Sequence, residues 1–264
     1  MIGPGLLARL SQLLDDARCG SRRFVVSNPM VWGCWGNALR EALPDSEAIM
    51  VPDGERYKTL PTAARIYDAL LRAQADRSSA IVTFGGGVVG DMGGFAAATS
   101  LRGIGLAHVP TTLLAQVDAA IGGKVGVNLP GGKNLVGAFH QPWVVVVDPD
   151  LLATLPRREF RSGLYEVIKY GMACSSDLFA RVQRDLGQIS KRDAASLTHV
   201  IADSCRIKAA IVAADERESG PRRILNFGHT AGHALEAVTR YRRFLHGEAV
   251  AYGMLIAAEI AVAR

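Results

Sequence analysis

Residues 83–95 read T-F-G-G-G-V-V-G-D-M-G-G-F, and this stretch decides the fold class of the chain. A continuous apolar run at 80–84, typical of a strand buried on both faces, leads into it, and a helical pattern over 88–101 follows. Three of its glycines satisfy the pattern G-x-G-x-x-G: Gly85, Gly87 and Gly90. Such glycines let the backbone approach a pyrophosphate at a helix N-terminus. The stretch therefore predicts a Rossmann-like dinucleotide site; the alternative is a tight strand-to-helix turn that binds nothing.

The stretch departs from the ordinary dinucleotide fingerprint in one respect. That fingerprint places an acid about 20 residues beyond the loop, where it binds a ribose hydroxyl. Here that position is Pro110, and the nearest acid is Asp91, directly after the loop. We therefore expect the dinucleotide to be held in a variant manner.

Apolar runs and helical patterns alternate on both sides of this stretch. The other β-rich runs are 22–27, 47–52, 105–110 and 143–148, and further helical patterns lie at 31–42 and 61–75. This alternation indicates a parallel sheet with helices on its faces. After Pro149 only helical patterns remain, at 157–172, 176–187, 193–214, 224–239 and 246–263. The sequence therefore predicts an α/β fold, with a dinucleotide-binding domain over 1–148 and an all-α domain over 149–264.

The composition excludes several classes of protein. With 264 residues, 49% of them hydrophobic, the chain can bury a sizeable core and is not a disordered segment. The net charge of +5 is spread along the chain and only 6% of residues are aromatic, which favours an anionic small substrate over a nucleic acid. No apolar stretch reaches 18 residues, so no membrane span is expected. Four cysteines without C-x-x-C spacing fit a reducing cytoplasm.

Histidines cluster near the end of the chain. His229 and His233 lie four apart in a helical pattern, and His246 follows 13 residues later. Neutral imidazoles with a carboxylate are a common zinc ligand set. Spacing alone leaves open which histidines bind, and three acids are candidates for the carboxylate: Glu166, Glu236 and Glu248. The alternative is that these histidines only cap or pack helices.

Several cations stand beside small residues. Lys124 and Lys133 each follow a glycine pair within 116–139, a segment that we interpret as one anion-binding loop. Three more candidates are Lys169, Lys208 and Arg222. Each could equally be a solvated surface charge. Together with the glycine loop and the histidines, they favour metal-assisted hydride transfer to a nicotinamide on an anionic substrate.

Seven segments, taken together and in order, resemble the 3-dehydroquinate synthase family. They are GGGVVGDMGGFAAA, LRGI, HVPTTLLAQVDAAIGGKVGVN, GKNLVGAFHQP, LATLPRREFRSGLYEVIKYG, ADERESGPRRILNFGHTAGHALEA and LHGEAVAYGM. The likeness runs from about Ile2 to the last residue. More distantly, the sequence is similar to other sugar-phosphate cyclases and to metal-dependent polyol dehydrogenases.

The resemblance implies a reaction. Members of the family convert 3-deoxy-arabino-heptulosonate 7-phosphate to 3-dehydroquinate and phosphate, in the shikimate pathway toward chorismate and the aromatic amino acids. NAD+ oxidises a ring hydroxyl transiently, phosphate is eliminated, the carbonyl is reduced, and an intramolecular aldol reaction closes the carbocycle. A divalent metal, zinc or cobalt, binds substrate hydroxyls. The resemblance thus implies an NAD- and metal-dependent cytoplasmic lyase that forms a homodimer.

The resemblance also implies residue roles. The metal ligands would be Glu166, His229 and His246, so His233 faces substrate rather than pairing with His229. The substrate contacts would be Asp118, Lys124, Asn134, Lys169, Lys208, Arg222, Asn226 and His233, with Arg102 reaching across a dimer interface. The NAD contacts would be Asp53, Glu55, Lys58, Gly87, Val88, Val89, Gly90, Asp91, Thr111, Thr112, Lys124, Lys133, Leu151 and Thr154.

The sequence also departs from the family pattern. Four positions differ from the usual residues: Ala119, Ala120, Val125 and Tyr165. Family members continue for several helices after the H-G-E-A-V segment, so the resemblance implies a helical domain that is incomplete here. Three alternatives stay open: another sugar-phosphate cyclase, a metal-dependent polyol dehydrogenase, and an inactive NAD-binding fragment.

Overall fold

A computed structural model describes residues 1–263, which form two compact units. The first unit contains residues 1–111 and 119–154, and the second contains residues 112–118 together with the chain from Leu155 onward. The sequence predicted a single boundary at residue 148, whereas in the structure the short segment 112–118 also belongs to the second unit. The hydrophobic periodicity of this segment does not differ from that of its neighbours, so no sequence pattern indicates that it belongs to the second unit.

The first unit is built on a five-stranded parallel sheet and a hairpin. The seven strands in chain order are β1 (Arg23–Ser27), β2 (Glu47–Met50), β3 (Ala80–Gly85), β4 (Gly105–Pro110), β5 (Lys124–Leu129), β6 (Gly132–Phe139) and β7 (Val144–Val145). The sheet has the order β2-β1-β3-β4-β7 and every pair in it is parallel, as predicted. The predicted strand 143–148 is shorter than expected, because only Val144 and Val145 join the ladder.

Helices cover both faces of this sheet. They are α1 (Leu10–Asp16), α2 (Pro29–Ala42), α3 (Leu60–Arg72) and α4 (Gly87–Thr99). Phe24 and Val26 of β1 belong to one apolar cluster, whereas Val25 between them belongs to another. Because successive side chains of a strand point to opposite faces, the central strands are buried on both sides. This explains why their sequences are continuously apolar rather than alternating.

The interpretation of 116–139 as one loop is wrong. A π-helical turn covers Ala115–Ala119, and β5 and β6 then form an antiparallel hairpin. A Cβ on Gly126 or Gly137 would lie within 2.7 Å or 2.3 Å of the opposite backbone, so glycine permits the close pairing of these strands. The sequence P-G-G at 130–132 marks the turn, a hairpin signal that the glycine-lysine pairs obscured.

The second unit is helical, as predicted. Its helices are α5 (Arg157–Cys174), α6 (Ser176–Ser190), α7 (Ala194–Ala214), α8 (His229–Val238) and α9 (His246–Val262). The predicted helix 224–239 begins later, at His229. Before it, Pro221–Asn226 forms a 3₁₀ turn, and Gly228 adopts a left-handed φ of 79° that interrupts the helical path. No helix among the described residues has the length and apolar character to cross a membrane.

Helices α8 and α9 pack closely at a glycine, which gives a first prediction. A Cβ on Gly253 of α9 would lie 1.8 Å from the carbonyl oxygen of Gly228. We expect Gly253→Ala to lower the free energy of unfolding by about 2 kcal/mol, because overpacking forces the backbone apart. Gly187 on α6 meets nothing within 4 Å, so Gly187→Ala should be neutral or stabilising. Chemical denaturation of both variants compares them; equal stabilities would contradict the packing.

Candidate active site

The glycine stretch forms the predicted strand-to-helix turn in the first unit. Strand β3 ends at Gly85 and α4 begins at Gly87. A Cβ on Gly85 would lie 2.7 Å from the Val89 side chain, whereas a Cβ on Gly90 would meet nothing closer than 3.9 Å. In the ordinary fingerprint the third glycine, here Gly90, allows the helix to pack closely against a strand. In this chain the close contact occurs one helical turn later, at Gly94. There a Cβ on Gly94 would lie 2.4 Å from Val125.

Polar side chains predicted to bind a dinucleotide form a network of ion pairs and hydrogen bonds beside α4. The buried ammonium of Lys58 forms an ion pair with Asp91 and donates to Oδ1 of Asn134 at 2.5 Å. Asn128 of β5 donates to Glu55 at 2.8 Å, so the hairpin holds the segment 53–58 in place. Asn134 was expected to touch substrate, and in this unit it lies among the dinucleotide candidates instead.

The remaining dinucleotide candidates fall into two groups. Thr111 donates its backbone N–H to the Gly85 carbonyl at 3.0 Å, and its buried hydroxyl has no hydrogen-bond partner among the described residues. Leu151 lies in the apolar core, and Thr154 accepts a hydrogen bond from the Trp35 indole at 2.8 Å. Thr111 therefore offers a polar atom to a ligand, whereas the side chains of Leu151 and Thr154 are engaged within the fold.

His108 of β4 lies under this turn and predicts a pH-dependent stability. Its Nδ1 lies 2.6 Å from the Thr83 hydroxyl, and burial, helped by the nearby His140, lowers its pKa to about 4. Between pH 6.5 and pH 4 the unfolded chain therefore binds a proton that the folded chain excludes. We expect the free energy of unfolding to fall by about 3 kcal/mol across this range.

Denaturant titrations at several pH values check this expectation. His108→Gln should make the pH dependence less steep, and His229, whose pKa burial also lowers to about 4, still contributes to it. The matched change at the exposed His199 should leave it unaltered. An unchanged slope in His108→Gln would show that another group is responsible.

Three predicted metal ligands come together in the second unit. Nε2 of His229 and Nε2 of His246 lie 4.0 Å and 3.7 Å from Oε1 of Glu166. The Glu166 carboxylate is fully buried on α5, and neither of its oxygens has a hydrogen-bond partner among the described residues. The Lys169 ammonium forms an ion pair with Oε2 at 2.5 Å. A buried carboxylate with two imidazoles around it is a donor set that fits a divalent cation such as zinc.

Close helix contacts place these ligands. A Cβ on Gly247 would lie 1.9 Å from the Ser162 carbonyl, and the Gly247 N–H donates to the Ser162 hydroxyl at 3.1 Å. Ser162 lies one helical turn before Glu166 on α5, so this contact holds the neighbouring His246 beside Glu166. At the start of α9, Glu248 accepts from Arg158 at 2.6 and 2.8 Å and from the Leu245 N–H at 2.9 Å. Glu248, one of the three candidate carboxylates, thus caps a helix.

The electrostatics of the two histidines differ. Burial lowers the pKa of His229 to about 4, which keeps this imidazole neutral and able to bind a cation. Burial also lowers the pKa of His246, but a hydrogen bond to Glu236 and the charge of Glu166 outweigh it and raise that pKa above its usual value. His233 is exposed, with its ring 5.2 Å from that of His229.

Charged substrate candidates form a buried cluster in the same unit. Lys208 donates to Oδ1 of Asp118 at 2.5 Å, and the Tyr170 hydroxyl donates to the same oxygen at 2.6 Å. Burial raises the pKa of Asp118, but the charges of Lys208 and Lys169 outweigh it and hold this pKa well below its usual range. The cluster is therefore a permanently charged assembly at neutral pH, with Lys169 also bridging to Glu166.

A loop held by Asp215 supplies the other substrate candidates. The Asp215 carboxylate accepts from the backbone N–H groups of Gly220 at 2.8 Å and Arg222 at 3.1 Å. Arg222 is 3% exposed and Asn226 donates to Glu218 at 2.6 Å. Asp215 was not among the residues predicted to form the site. Its signal is an aspartate a few residues before Ser-Gly-Pro, a pattern typical of side-chain-to-backbone turns.

Four other predicted contacts are exposed or half-buried. Arg102 is exposed with a left-handed φ of 69°, and Lys124 is exposed at the start of β5. Lys133 is half-buried in β6, and Thr112 accepts from the Ala115 N–H at 3.2 Å.

These features define a class of protein. The first unit has the strand-glycine-helix turn of dinucleotide-binding folds, and the second has three side chains that could hold a metal ion beside buried cations. Proteins with both features catalyse nucleotide-dependent oxidation and reduction at alcohol or carbonyl groups with help from a metal.

Comparisons with known proteins give the particular family. The models "3-dehydroquinate synthase N-terminal" and "3-dehydroquinate synthase C-terminal" match residues 48–162 and 163–264. The 3-dehydroquinate synthase of Gloeobacter violaceus is 53% identical over 99% of this chain and 73% of its own length. The chain therefore belongs to the 3-dehydroquinate synthase family.

Solved structures of sugar-phosphate cyclases have the same fold. A 2-deoxy-scyllo-inosose synthase, described in complex with carbaglucose-6-phosphate, NAD+ and Co2+, has a TM-score of 0.90 at 31% identity, over 99% of this chain and 71% of its own. The 2-epi-5-epi-valiolone synthase of Streptomyces hygroscopicus, described with NAD+ and Zn2+ bound, has a TM-score of 0.87 at 29% identity. This match covers 96% of the present chain and 71% of the synthase chain. The predicted α/β fold with a helical C-terminal part is thereby confirmed.

Proposed function

We propose that this chain catalyses the reaction of its family, the conversion of 3-deoxy-arabino-heptulosonate 7-phosphate to 3-dehydroquinate and phosphate. Sequence identity of about half to 3-dehydroquinate synthases supports this choice, against about 30% to the other cyclases. The structural observation that carries it is the buried Glu166 carboxylate with Nε2 of His229 and Nε2 of His246 facing it.

The cofactors of the proposed reaction are NAD and a divalent metal. NAD bound at the glycine turn would take a hydride from the substrate and return it. Zinc or cobalt held by Glu166, His229 and His246 would polarise a substrate hydroxyl. The solved relatives that hold NAD+ with Zn2+ or Co2+ support both assignments.

The protein's own groups have three tasks in this proposal. Lys169 and Lys208 provide fixed positive charge for an anionic substrate, with Lys169 paired to Glu166 and Lys208 paired to Asp118. Arg222 adds a guanidinium on the loop that Asp215 holds. His233, exposed beside the metal ligands, can exchange a proton with a bound hydroxyl.

The expected products distinguish this function from its alternatives. The protein with zinc and catalytic NAD+ should release phosphate from 3-deoxy-arabino-heptulosonate 7-phosphate, with 3-dehydroquinate identified by NMR. Sedoheptulose 7-phosphate, which lacks the carboxylate, and glucose 6-phosphate are the comparison substrates. Faster turnover of either would indicate another sugar-phosphate cyclase. Lasting NADH from a polyol would indicate a dehydrogenase. NAD binding with no turnover would indicate an inactive fragment.

Two further expectations accompany this proposal. Arg102 reaches a neighbouring active site in a homodimer, and the reaction takes place in the cytoplasm. Sedimentation of the protein with and without NAD tests the first. Both stay predictions.

A further inference from the structure

One buried carboxylate beside the metal centre has no role in the proposed reaction. Glu236 on α8 is 3% exposed, and its Oε2 lies 3.4 Å from Nδ1 of His246. Nε2 of the same ring lies 3.7 Å from Oε1 of Glu166. The His246 ring therefore lies between two buried carboxylates, with one at each nitrogen.

In His229, the other histidine ligand, the two ring nitrogens also face different acceptors. Nδ1 of His229 lies 3.3 Å from the Phe227 carbonyl oxygen, and its Nε2 lies 4.0 Å from Oε1 of Glu166. A neutral imidazole has one N–H, and an acceptor beside Nδ1 keeps the proton there. In both rings the lone pair of Nε2 is then directed toward Glu166.

We infer that Glu236 is a positioning residue for the metal centre. It accepts a hydrogen bond from Nδ1 of His246 and so fixes the tautomer and the ring orientation in which Nε2 binds a cation. Its charge also makes the imidazole a more basic ligand and adds a negative charge near the cation. This inference rests on the proposed metal site of Glu166, His229 and His246.

A second arrangement of the same side chains makes a different prediction. Ligand atoms of His233, Glu236 and His246 also lie within 4.8 Å of one another, so Glu236 could bind a second cation directly. That cation would need Nδ1 of His246 while the first takes Nε2, and the ring would have to lose both of its protons. A hydrogen bond from Nδ1 to Glu236 needs no such deprotonation, which favours the positioning role.

Zinc affinity of four proteins tests the inference, measured by competition with a chromophoric chelator. We expect Glu236→Ala to weaken zinc binding about ten- to a hundredfold. Glu236→Gln should show an intermediate loss, since its amide oxygen still accepts from Nδ1 but carries no charge. The control is Thr239→Val at the end of the same helix, where the hydroxyl donates to the backbone carbonyls of Leu235 and Glu236. Its affinity should equal that of the unmodified protein.

A spectroscopic readout separates positioning from helix stability. In the zinc-loaded protein the Nδ1–H proton of His246 should give a downfield NMR resonance that moves upfield in Glu236→Gln. An unchanged resonance, or an affinity of Glu236→Ala within twofold of the unmodified protein, would overturn the inference. So would two zinc ions per chain, one of them lost in Glu236→Gln. If Glu236→Ala does not fold, Glu236→Gln carries both measurements.

Failure of the inference and failure of the proposed function are distinguishable. An unmodified protein that binds no zinc would contradict the proposed metal site itself. An unmodified protein that binds one zinc with an affinity independent of Glu236 would contradict only the positioning role.

Discussion

Substitution of His229 or His246 with alanine will remove bound zinc, whereas His233→Ala will keep zinc and lose activity. Each of the first two changes deletes one of three atoms that surround the cation position, so zinc affinity should fall by more than the ten- to hundredfold typical of outer-sphere partners. His233 lies outside that set of three. Its loss should lower kcat about 100- to 10,000-fold, the range for a group that transfers protons.

Zinc content after dialysis and the rate of phosphate release measure these effects together. The exposed His199 on α7 provides the control, since His199→Ala should change neither quantity. A His233→Ala protein that also loses zinc would contradict the proposed ligand set. It would point instead to a ligand pair of His229 and His233, which share one helix face.

Asp118→Asn should destabilise the protein by about 3 kcal/mol at pH 7, the largest stability effect that we expect. The change leaves the buried ammonium group of Lys208 without its ion-pair partner and removes a negative charge that acts on Lys169. Removing one member of a buried ionic cluster is costly because the remaining charges stay desolvated. The amide has nearly the shape of the carboxylate, so the loss reports on charge rather than on packing.

Tyr170→Phe is the matched control for this cluster. It removes one hydrogen bond to the same Asp118 oxygen and leaves every charge in place, so we expect a loss of only about 1 kcal/mol. Chemical denaturation at pH 7 compares the two variants. Because the folded protein holds the pKa of Asp118 low, its contribution is complete above pH 4 and decreases as the pH falls further. Equal losses in the two variants would contradict the ionic role.

Local patterns predicted the parallel sheet and the order of the helices. The buried strands β1, β3 and β4 are continuously apolar, and the glycine stretch marks the turn into α4. The hairpin β5–β6 was missed because its strands carry glycines and lysines, which are uncommon in strands. Its stability comes from packing of Val125 and Val127 against α4, a tertiary contact that no local pattern contains.

Less of the candidate site than of the fold could be predicted from local patterns. Spacing identified the histidines and placed His229 and His233 on one helix face, but it left open which of the three bind a metal. Glu166 lies 63 residues earlier, and only the packing of α5 against α9 brings it to them. The roles of Asp215 and Glu236 were not predictable, because they depend on what each buried carboxylate contacts. The family resemblance supplied Glu166, whose Oε1 lies 4.0 Å from Nε2 of His229 and 3.7 Å from Nε2 of His246.

The central claim is that one metal ion at Glu166, His229 and His246 acts with a recycled NAD. The most direct test adds zinc in fractions of an equivalent to chelator-treated protein with NAD+ and 3-deoxy-arabino-heptulosonate 7-phosphate. Phosphate release and absorbance at the NADH wavelength are recorded in the same sample. We predict that the rate of phosphate release rises linearly to one zinc per chain, with no lasting NADH. Phosphate release that is independent of zinc, or NADH that accumulates with each turnover, would contradict the claim.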